Sequence, residues 1–196
     1  MNSSIEPKLA APGAGIPFIE RMLSNAGLRF LATVKSRQLL QQQFDEEERR
    51  LRALAGGLSD EEGRQQMLIS RIAGLEDSSR YWSPWMVLQH LVIVNGAITG
   101  IIPALAAGRT GLPAASTAGV KPVQTAGPEM KAMLDKVNER YRRTVDSIAD
   151  LKTAAKHPHP WFGPLDAHGW HALAAVHMAI HRRQLALIVE ALRKRR

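Results

Sequence analysis

The run SPWMVLQHLVIVNGAITGIIPALAAG, residues 83–108, most constrains the fold because it contains no charged side chain. Ser83 is a suitable N-cap and Pro84 a suitable first helical residue, so the run predicts one long helix. Because about 20 apolar residues suffice to cross a bilayer, a membrane span is one interpretation. Against it stand a proline near the end and several polar side chains, with no second span to shield them from lipid: Gln89, His90, Asn95 and Thr99. We therefore predict a central helix buried in a helical bundle, with no membrane partner.

Three further long helices are indicated by apolar residues at helical spacing. One pattern extends from Phe18 to Ala55 and ends at a pair of glycines. A second begins at Pro128 and continues to about Ala155. Asp166 is a suitable N-cap for a last helix that continues nearly to the C-terminus.

The remaining segments are short or aperiodic. Ser59 with Glu62 forms a capping-box signature, which predicts a short helix to about Ala73. Residues 1–15 predict an irregular N-terminal arm, and residues 108–127 a long loop. No run alternates like a half-buried strand. The sequence thus predicts an all-α fold, a four-helix bundle with one additional short helix and an irregular arm, in which residues 16–196 form a single domain.

The residue types present exclude several kinds of chemistry. The chain has no cysteine, so any metal site must use histidine and carboxylate ligands. The absence of cysteine fits a cytoplasmic protein, and the N-terminal residues do not have the pattern of a signal peptide. The net charge is +8, but the basic residues are dispersed except for the terminal RKRR, so nucleic acid is disfavoured as a partner.

The last helix carries two imidazoles on its apolar face. In HMAIHRRQ, residues 177–184, His177 and His181 are four residues apart, so both lie on the inward stripe of the helix. This spacing is how helical metal sites place a pair of histidine ligands. Gln184 lies on the same face, where it would either orient a water molecule at the ion or form a hydrogen bond across the bundle.

His90 supplies a third imidazole in the least polar segment of the chain, where an unpaired imidazole would be costly. If the helices beginning at Ser83 and Asp166 are parallel, the three histidines lie at comparable depths, since a helix rises about 1.5 Å per residue. Three neutral imidazoles suit a divalent ion such as Zn²⁺ or Ni²⁺ and leave coordination positions open. Position 178 is Met, so the glutamate of the zinc-protease motif is missing.

Aromatic residues precede both histidine-bearing helices. We expect Trp82, Trp161 and Phe162 to line the mouth of the metal pocket, the alternative being that they only staple helix ends. Arg80 is the charge best placed to meet an anionic substrate. His157 and His159 lie between prolines and predict a rigid surface loop. Asn95 is expected to be structural, and His171, off the apolar stripe, to be solvated.

The segments YWSPWMVLQHL, HPHPWFGPLDAHGW and HMAIHRRQ, in this order, resemble the DinB-like superfamily of metal-binding four-helix proteins. That family pairs one histidine on its second long helix with an H-x-x-x-H near the end of the chain, commonly followed by Arg and Gln. The resemblance covers roughly residues 59–192 and assigns His90, His177 and His181 as metal ligands. Its members include S-transferases and isomerases that use low-molecular-weight thiols.

We therefore expect a metal-dependent protein that binds one divalent cation and a small-molecule ligand. By analogy with the family, it would be a thiol-dependent S-transferase or a hydrolase, with a low-molecular-weight thiol as a candidate partner. The alternative is a non-catalytic protein that binds metal and ligand. A homodimer is left open.

Overall fold

The computed structural model describes residues 7–195 of the chain. Its α-helices, in chain order, are α1 (Phe18–Val34), α2 (Arg37–Gly56), α3 (Asp60–Arg64), α4 (Pro84–Ala106), α5 (Met130–Asp146) and α6 (Ala167–Arg193). The bundle consists of α2, α4, α5 and α6: α4 packs against α5 and α6, and α2 packs against α6. The all-α prediction and the four-helix bundle are confirmed. The first six residues of the predicted arm lie outside the described residues.

The apolar run forms the helix α4 as the sequence predicts. Ser83 Oγ accepts a hydrogen bond from the Met86 N–H at 3.3 Å, and Pro84 occupies the first helical position. By length and composition α4 alone among the described helices could cross a membrane. In the structure it is a core helix of the bundle, with most of its residues buried against α5 and α6. Its Asn95 donates to Asn138 Oδ1 at 2.8 Å, which agrees with a structural role.

The predicted first helix is two helices, so that prediction is wrong. The backbone of Lys35 is extended, and Ser36 caps α2 by accepting from the Leu39 N–H. After this break α1 lies against α6 outside the bundle, whereas α2 is part of it. A serine N-cap in the middle of an apolar pattern is the local sign of such a break, and helical periodicity alone does not detect it.

The segment between α3 and α4 differs from the prediction. The capping box of Ser59 and Glu62 is present, but α3 ends at Arg64 rather than near Ala73. The structure also contains two very short antiparallel sheets, although no strand was expected. Between α3 and α4, β1 (Met67–Leu68) pairs with β2 (Tyr81–Trp82). Between α5 and α6, β3 (His157–His159) pairs with β4 (Gly163–Leu165). Each is too short to show an alternating pattern. Both lie directly before a histidine-bearing helix.

Two histidines of α6 donate hydrogen bonds to carbonyls at the break between α1 and α2. His168 Nε2 donates to the Lys35 carbonyl at 3.2 Å, and His171 Nε2 donates to the Arg37 carbonyl at 3.1 Å. The expectation that His171 is solvated is wrong, because its ring is fully buried. Its Nδ1 accepts from the Tyr141 hydroxyl of α5 at 2.5 Å.

Arg37 connects the same break to the end of α5. Its guanidinium donates to the Ile148 carbonyl at 2.6 Å and to the Val145 carbonyl. The last carbonyls of a helix have no partner within it, and Arg37 adds a donor both at the Ile148 carbonyl and at the Val145 carbonyl, which also accepts from the Ile148 N–H at 3.3 Å. The helix α5 ends at Asp146, well before the predicted Ala155.

We expect Tyr141→Phe to lower the free energy of unfolding by about 1–3 kcal/mol, because it leaves the buried His171 Nδ1 without a donor. Urea denaturation would measure the change. The matched control is Tyr81→Phe at the half-buried second tyrosine, with an expected change within about 0.5 kcal/mol. Equal effects of the two substitutions would contradict a specific role for the Tyr141–His171 hydrogen bond.

Candidate metal centre

The structure brings together the three histidines that the sequence singles out. His90 comes from α4, and His177 and His181 come from successive turns of α6. Their ligand nitrogens all lie within 4.8 Å of one another, and His90 Nε2 is 3.1 Å from His177 Nε2. His90 and His181 are buried, and His177 is partly buried. The three side chains could hold a metal ion.

Hydrogen bonds fix the tautomers of two of these imidazoles. His90 Nδ1 lies 2.7 Å from the Val120 carbonyl, which can only accept, so Nδ1 carries the proton. His181 Nδ1 lies 2.6 Å from Gln184 Oε1, and the amide nitrogen of Gln184 donates to the Ser79 carbonyl at 2.6 Å. This second contact fixes the amide orientation, so His181 Nδ1 is also protonated. Both Nε2 atoms therefore carry lone pairs.

One of the nitrogen–nitrogen distances in the triad already has the value expected around a divalent cation. Two nitrogens each about 2.0–2.1 Å from one ion are separated by about 2.9–3.4 Å in octahedral or tetrahedral geometry. The observed separation of 3.1 Å between the Nε2 atoms of His90 and His177 falls in this range. His177 Nδ1 is buried without a hydrogen-bond partner among the described residues. His90 and His181 have the Nδ1–H hydrogen bonds that orient metal-binding histidines.

Burial lowers the pKa of each of the three imidazoles. Desolvation is the main cause at His90, where the pKa falls to about 4, and the nearby Lys121 ammonium acts in the same direction. Burial also lowers the pKa of His177 and His181 well below the usual value, and their proximity to other imidazoles adds to the shift. All three are therefore neutral near pH 7, the protonation state in which imidazole binds a metal.

Gln184 contacts a histidine rather than open space. Its side chain is fully buried, and both ends of its amide are occupied by His181 and the Ser79 carbonyl. The hydrogen bond to Ser79 joins α6 to the segment before α4 rather than to another helix of the bundle. A role in orienting water at the ion is not what this geometry favours. Gln184 instead holds the ring of His181 in place.

A cavity of about 800 Å³ lies beside the three histidines and includes all of them in its lining. Trp161 and Phe162 contribute to the wall, as expected. Trp82 does not line the cavity. Its buried ring lies parallel to that of His181, with the centroids 6.1 Å apart, and 5.2 Å from that of His90. Trp82 thus packs against the imidazoles.

Arg80 is also outside the cavity lining, contrary to the expectation that it meets a substrate there. Its Nη1 forms an ion pair with Asp77 at 2.8 Å, and its Nε donates to the Ile69 carbonyl at 2.9 Å. Because the guanidinium is engaged at the backbone of this loop, its position indicates a structural role.

Glu76 and Lys121 are cavity residues that sequence reasoning missed. Lys121 Nζ lies 2.7 Å from Glu76 Oε2 and donates to Ser78 Oγ and Ser79 Oγ. The lysine ammonium lowers the pKa of Glu76, opposing the effect of burial. The pair is separated by 45 residues in loops without periodicity, so no local pattern could have found it. It connects the segment before α4 with the long loop after it.

His157 and His159 are not in a surface loop, so that interpretation is wrong. Both belong to β3; His157 is buried against Trp170, and His159 lines the cavity and stacks on Phe162. Burial lowers the pKa of His159 to about 4. The strands β3 and β4 form a short hairpin, and its packing against Trp170 of α6 turns both imidazoles inward.

Comparison with known families assigns the chain to a protein superfamily. The model of the DinB superfamily matches residues 43–185, which include all three histidines. The match covers more than half of the chain, so the chain belongs to the DinB superfamily. The structure is also similar to the crystal structure of TT2238, a four-helix bundle protein, with a TM-score of 0.54 and 22% sequence identity over 77% of this chain and 98% of that one. A search of curated proteins finds no match.

We expect the metal-free protein to lose stability as the pH falls from about 7 to 5. The folded chain keeps His90 neutral to about pH 4, whereas the unfolded chain protonates near pH 6.5, so protons favour the unfolded state in this window. His90 alone contributes a loss of about 2 kcal/mol. Urea denaturation in the presence of a chelator would measure it. His90→Ala should show a shallower dependence on pH, and identical slopes would contradict the assignment.

We expect Gln184→Met to weaken metal binding about 10- to 100-fold, because His181 loses the acceptor that orients its ring. Titration with Co²⁺, followed by its visible absorption, would measure the affinity. Gln41→Met on α2, whose amide contacts only Asp45 in its own helix, is the matched control and should bind Co²⁺ as the wild type does. Unchanged affinity of Gln184→Met would show that Gln184 does not support the site.

Proposed function

We propose that His90, His177 and His181 hold one divalent cation, Zn²⁺ or Ni²⁺, and that a small molecule in the adjoining cavity reacts beside it. The observation that carries this proposal is the convergence of the imidazoles together with the contacts of Val120 and Gln184, which direct two lone pairs inward. His177 Nε2 lies 3.1 Å from His90 Nε2, and all three ligand nitrogens lie within 4.8 Å of one another in this buried region. The donor set therefore fits a cation.

The number of ligands favours an open site over a closed structural one. Three imidazoles leave at least one coordination position free, as in catalytic zinc sites. A cation held there supplies Lewis acidity, which lowers the pKa of a water or thiol ligand toward neutrality. The chain's own residues fix the imidazoles, exclude bulk water by burial and shape the space in which an electrophile would lie.

The reaction class that we propose is transfer of a low-molecular-weight thiol to an electrophile, or hydrolysis of one. Membership of the DinB superfamily supports this choice. The cavity lining also supports it, because chemistry that needs a free carboxylate base has no such group there. Glu76 is the only carboxylate in the lining formed by residues 7–195, and it pairs with Lys121. A cytoplasmic location and a homodimer remain predictions.

A second candidate is a non-catalytic protein that binds metal and ligand. The same observation favours it, since the lining formed by the described residues has no unpaired carboxylate to act as a general base. The two candidates share the metal site and differ only in turnover. They are therefore separated by an assay of product formation and not by metal binding.

We expect His90→Ala and His181→Ala to bind Zn²⁺ or Co²⁺ at least 100-fold more weakly than the wild type, because each removes one of three ligands. Calorimetry on protein purified without a histidine tag or chelator would measure the affinity. The control is His159→Phe, which removes a nearby imidazole outside the triad and keeps the ring against Phe162. Equal affinity of all four proteins would contradict the metal site.

The same proteins test catalysis. Wild type loaded with Zn²⁺ or Ni²⁺ would be assayed against a panel of electrophiles, with and without low-molecular-weight thiols. Turnover that requires the metal and is lost in His181→Ala supports the transferase or hydrolase. Full metal occupancy without turnover under any of these conditions would favour the binding protein.

A further inference from the structure

The wall of the cavity around the three histidines consists mainly of hydrocarbon. Leu28 and Leu31 reach it from α1, Val94 and Ile101 from α4, and Leu173 and Ile180 from α6. Such a wall gains free energy by contact with apolar atoms and offers no hydrogen bonds. The polar side chains of the lining are the minority: the imidazoles, one charged pair and a few hydroxyls, those of Ser24, Ser79, Ser116 and Thr117.

The charged groups of the cavity are already engaged within the protein. In the lining formed by the described residues, these groups are Glu76 and Lys121, which pair at 2.7 Å. Lys121 also donates to two serine hydroxyls, and Glu76 accepts from the Gly13 and Gly15 N–H groups of the N-terminal arm. No charge is left to bind a carboxylate, phosphate or ammonium group of a ligand.

We propose that the cavity binds an apolar molecule with one metal-binding head group at the histidines; this rests on the proposed function for the head group. The volume of about 800 Å³ suits a ligand of moderate size, since ligand sites commonly measure about 300–1,000 Å³. A thiol with several charges would lose hydration on entering without gaining an unpaired opposite charge among the described lining residues. The thiol or electrophile that reacts here is therefore largely hydrocarbon.

The first experiment titrates butane-, hexane- and octanethiol into Co²⁺-loaded protein and follows the thiolate-to-cobalt absorption band. Each added methylene should tighten binding about three- to fourfold, the value for transfer of one methylene from water to an apolar site. Glutathione, which is charged at several positions, is the comparator and should bind at least 100-fold more weakly than octanethiol. An affinity that does not depend on chain length, or a higher affinity for glutathione than for octanethiol, would overturn the proposal.

Two glycines in the cavity lining allow the space to be reduced without a steric clash. A Cβ at Gly27 of α1 or Gly100 of α4 would meet no atom within 4 Å, and both lie in helices, where leucine is favoured over glycine. Gly27→Leu and Gly100→Leu should weaken octanethiol binding more than butanethiol binding. Gly56→Leu in α2, equally unobstructed but outside the lining, is the matched control and should leave both affinities unchanged. The same effect in all three variants would overturn the proposal.

A metal-free arm separates this inference from the proposed function. Alkanols of four to eight carbons, with chelator present, would displace an apolar fluorescent dye from the wild type. Affinity that rises with chain length in the wild type, and rises less in Gly100→Leu, supports the apolar cavity. If Co²⁺ does not bind while this result holds, only the metal site is contradicted. No dependence on chain length in this arm would overturn the apolar cavity while leaving the metal site intact.

Discussion

The burial of three neutral imidazoles between α4 and α6 is the constraint on which the rest of the site depends. A buried imidazole needs a partner for each ring nitrogen, and the chain supplies Nδ1 partners for His90 and His181. The Val120 carbonyl belongs to the long loop after α4, and the Ser79 carbonyl that orients Gln184 belongs to the segment before it. The imidazoles thus also fix the surrounding loops.

The sequence was sufficient to predict the helices of the site and the triad itself. His177 and His181 share a helix face by spacing, and His90 lies in a run where an imidazole without a partner is costly. The partners could not be predicted. Val120 and Ser79 act through backbone carbonyls, which every residue has, so no side-chain pattern identifies them. The Glu76–Lys121 pair depends on the paths of two loops.

The error at the first helix has a specific physical cause. Leu31 and Leu39 continue one apolar pattern across the break, but Ser36 offers its hydroxyl to the Leu39 N–H and begins a new helix. The break is stabilised from a distance by His168 and His171, which donate to the carbonyls of Lys35 and Arg37. His168 and His171, in the first turns of α6, therefore serve the helix connection, whereas His177 and His181, further along the same helix, belong to the histidine triad that could hold a metal ion. Only the tertiary structure distinguishes the two uses.

The break at Ser36 also separates the candidate metal ligands from part of the cavity wall. The three histidines lie within residues 43–185, the part matched by the DinB superfamily, whereas α1 precedes it. Through Leu28 and Leu31, α1 covers one side of the cavity with hydrocarbon. A change in α1 can therefore alter the shape of the cavity without touching a metal ligand. Because α1 and the histidines belong to different segments, we expect substitutions in α1 to change which small molecules the cavity accepts while the three histidines keep their positions.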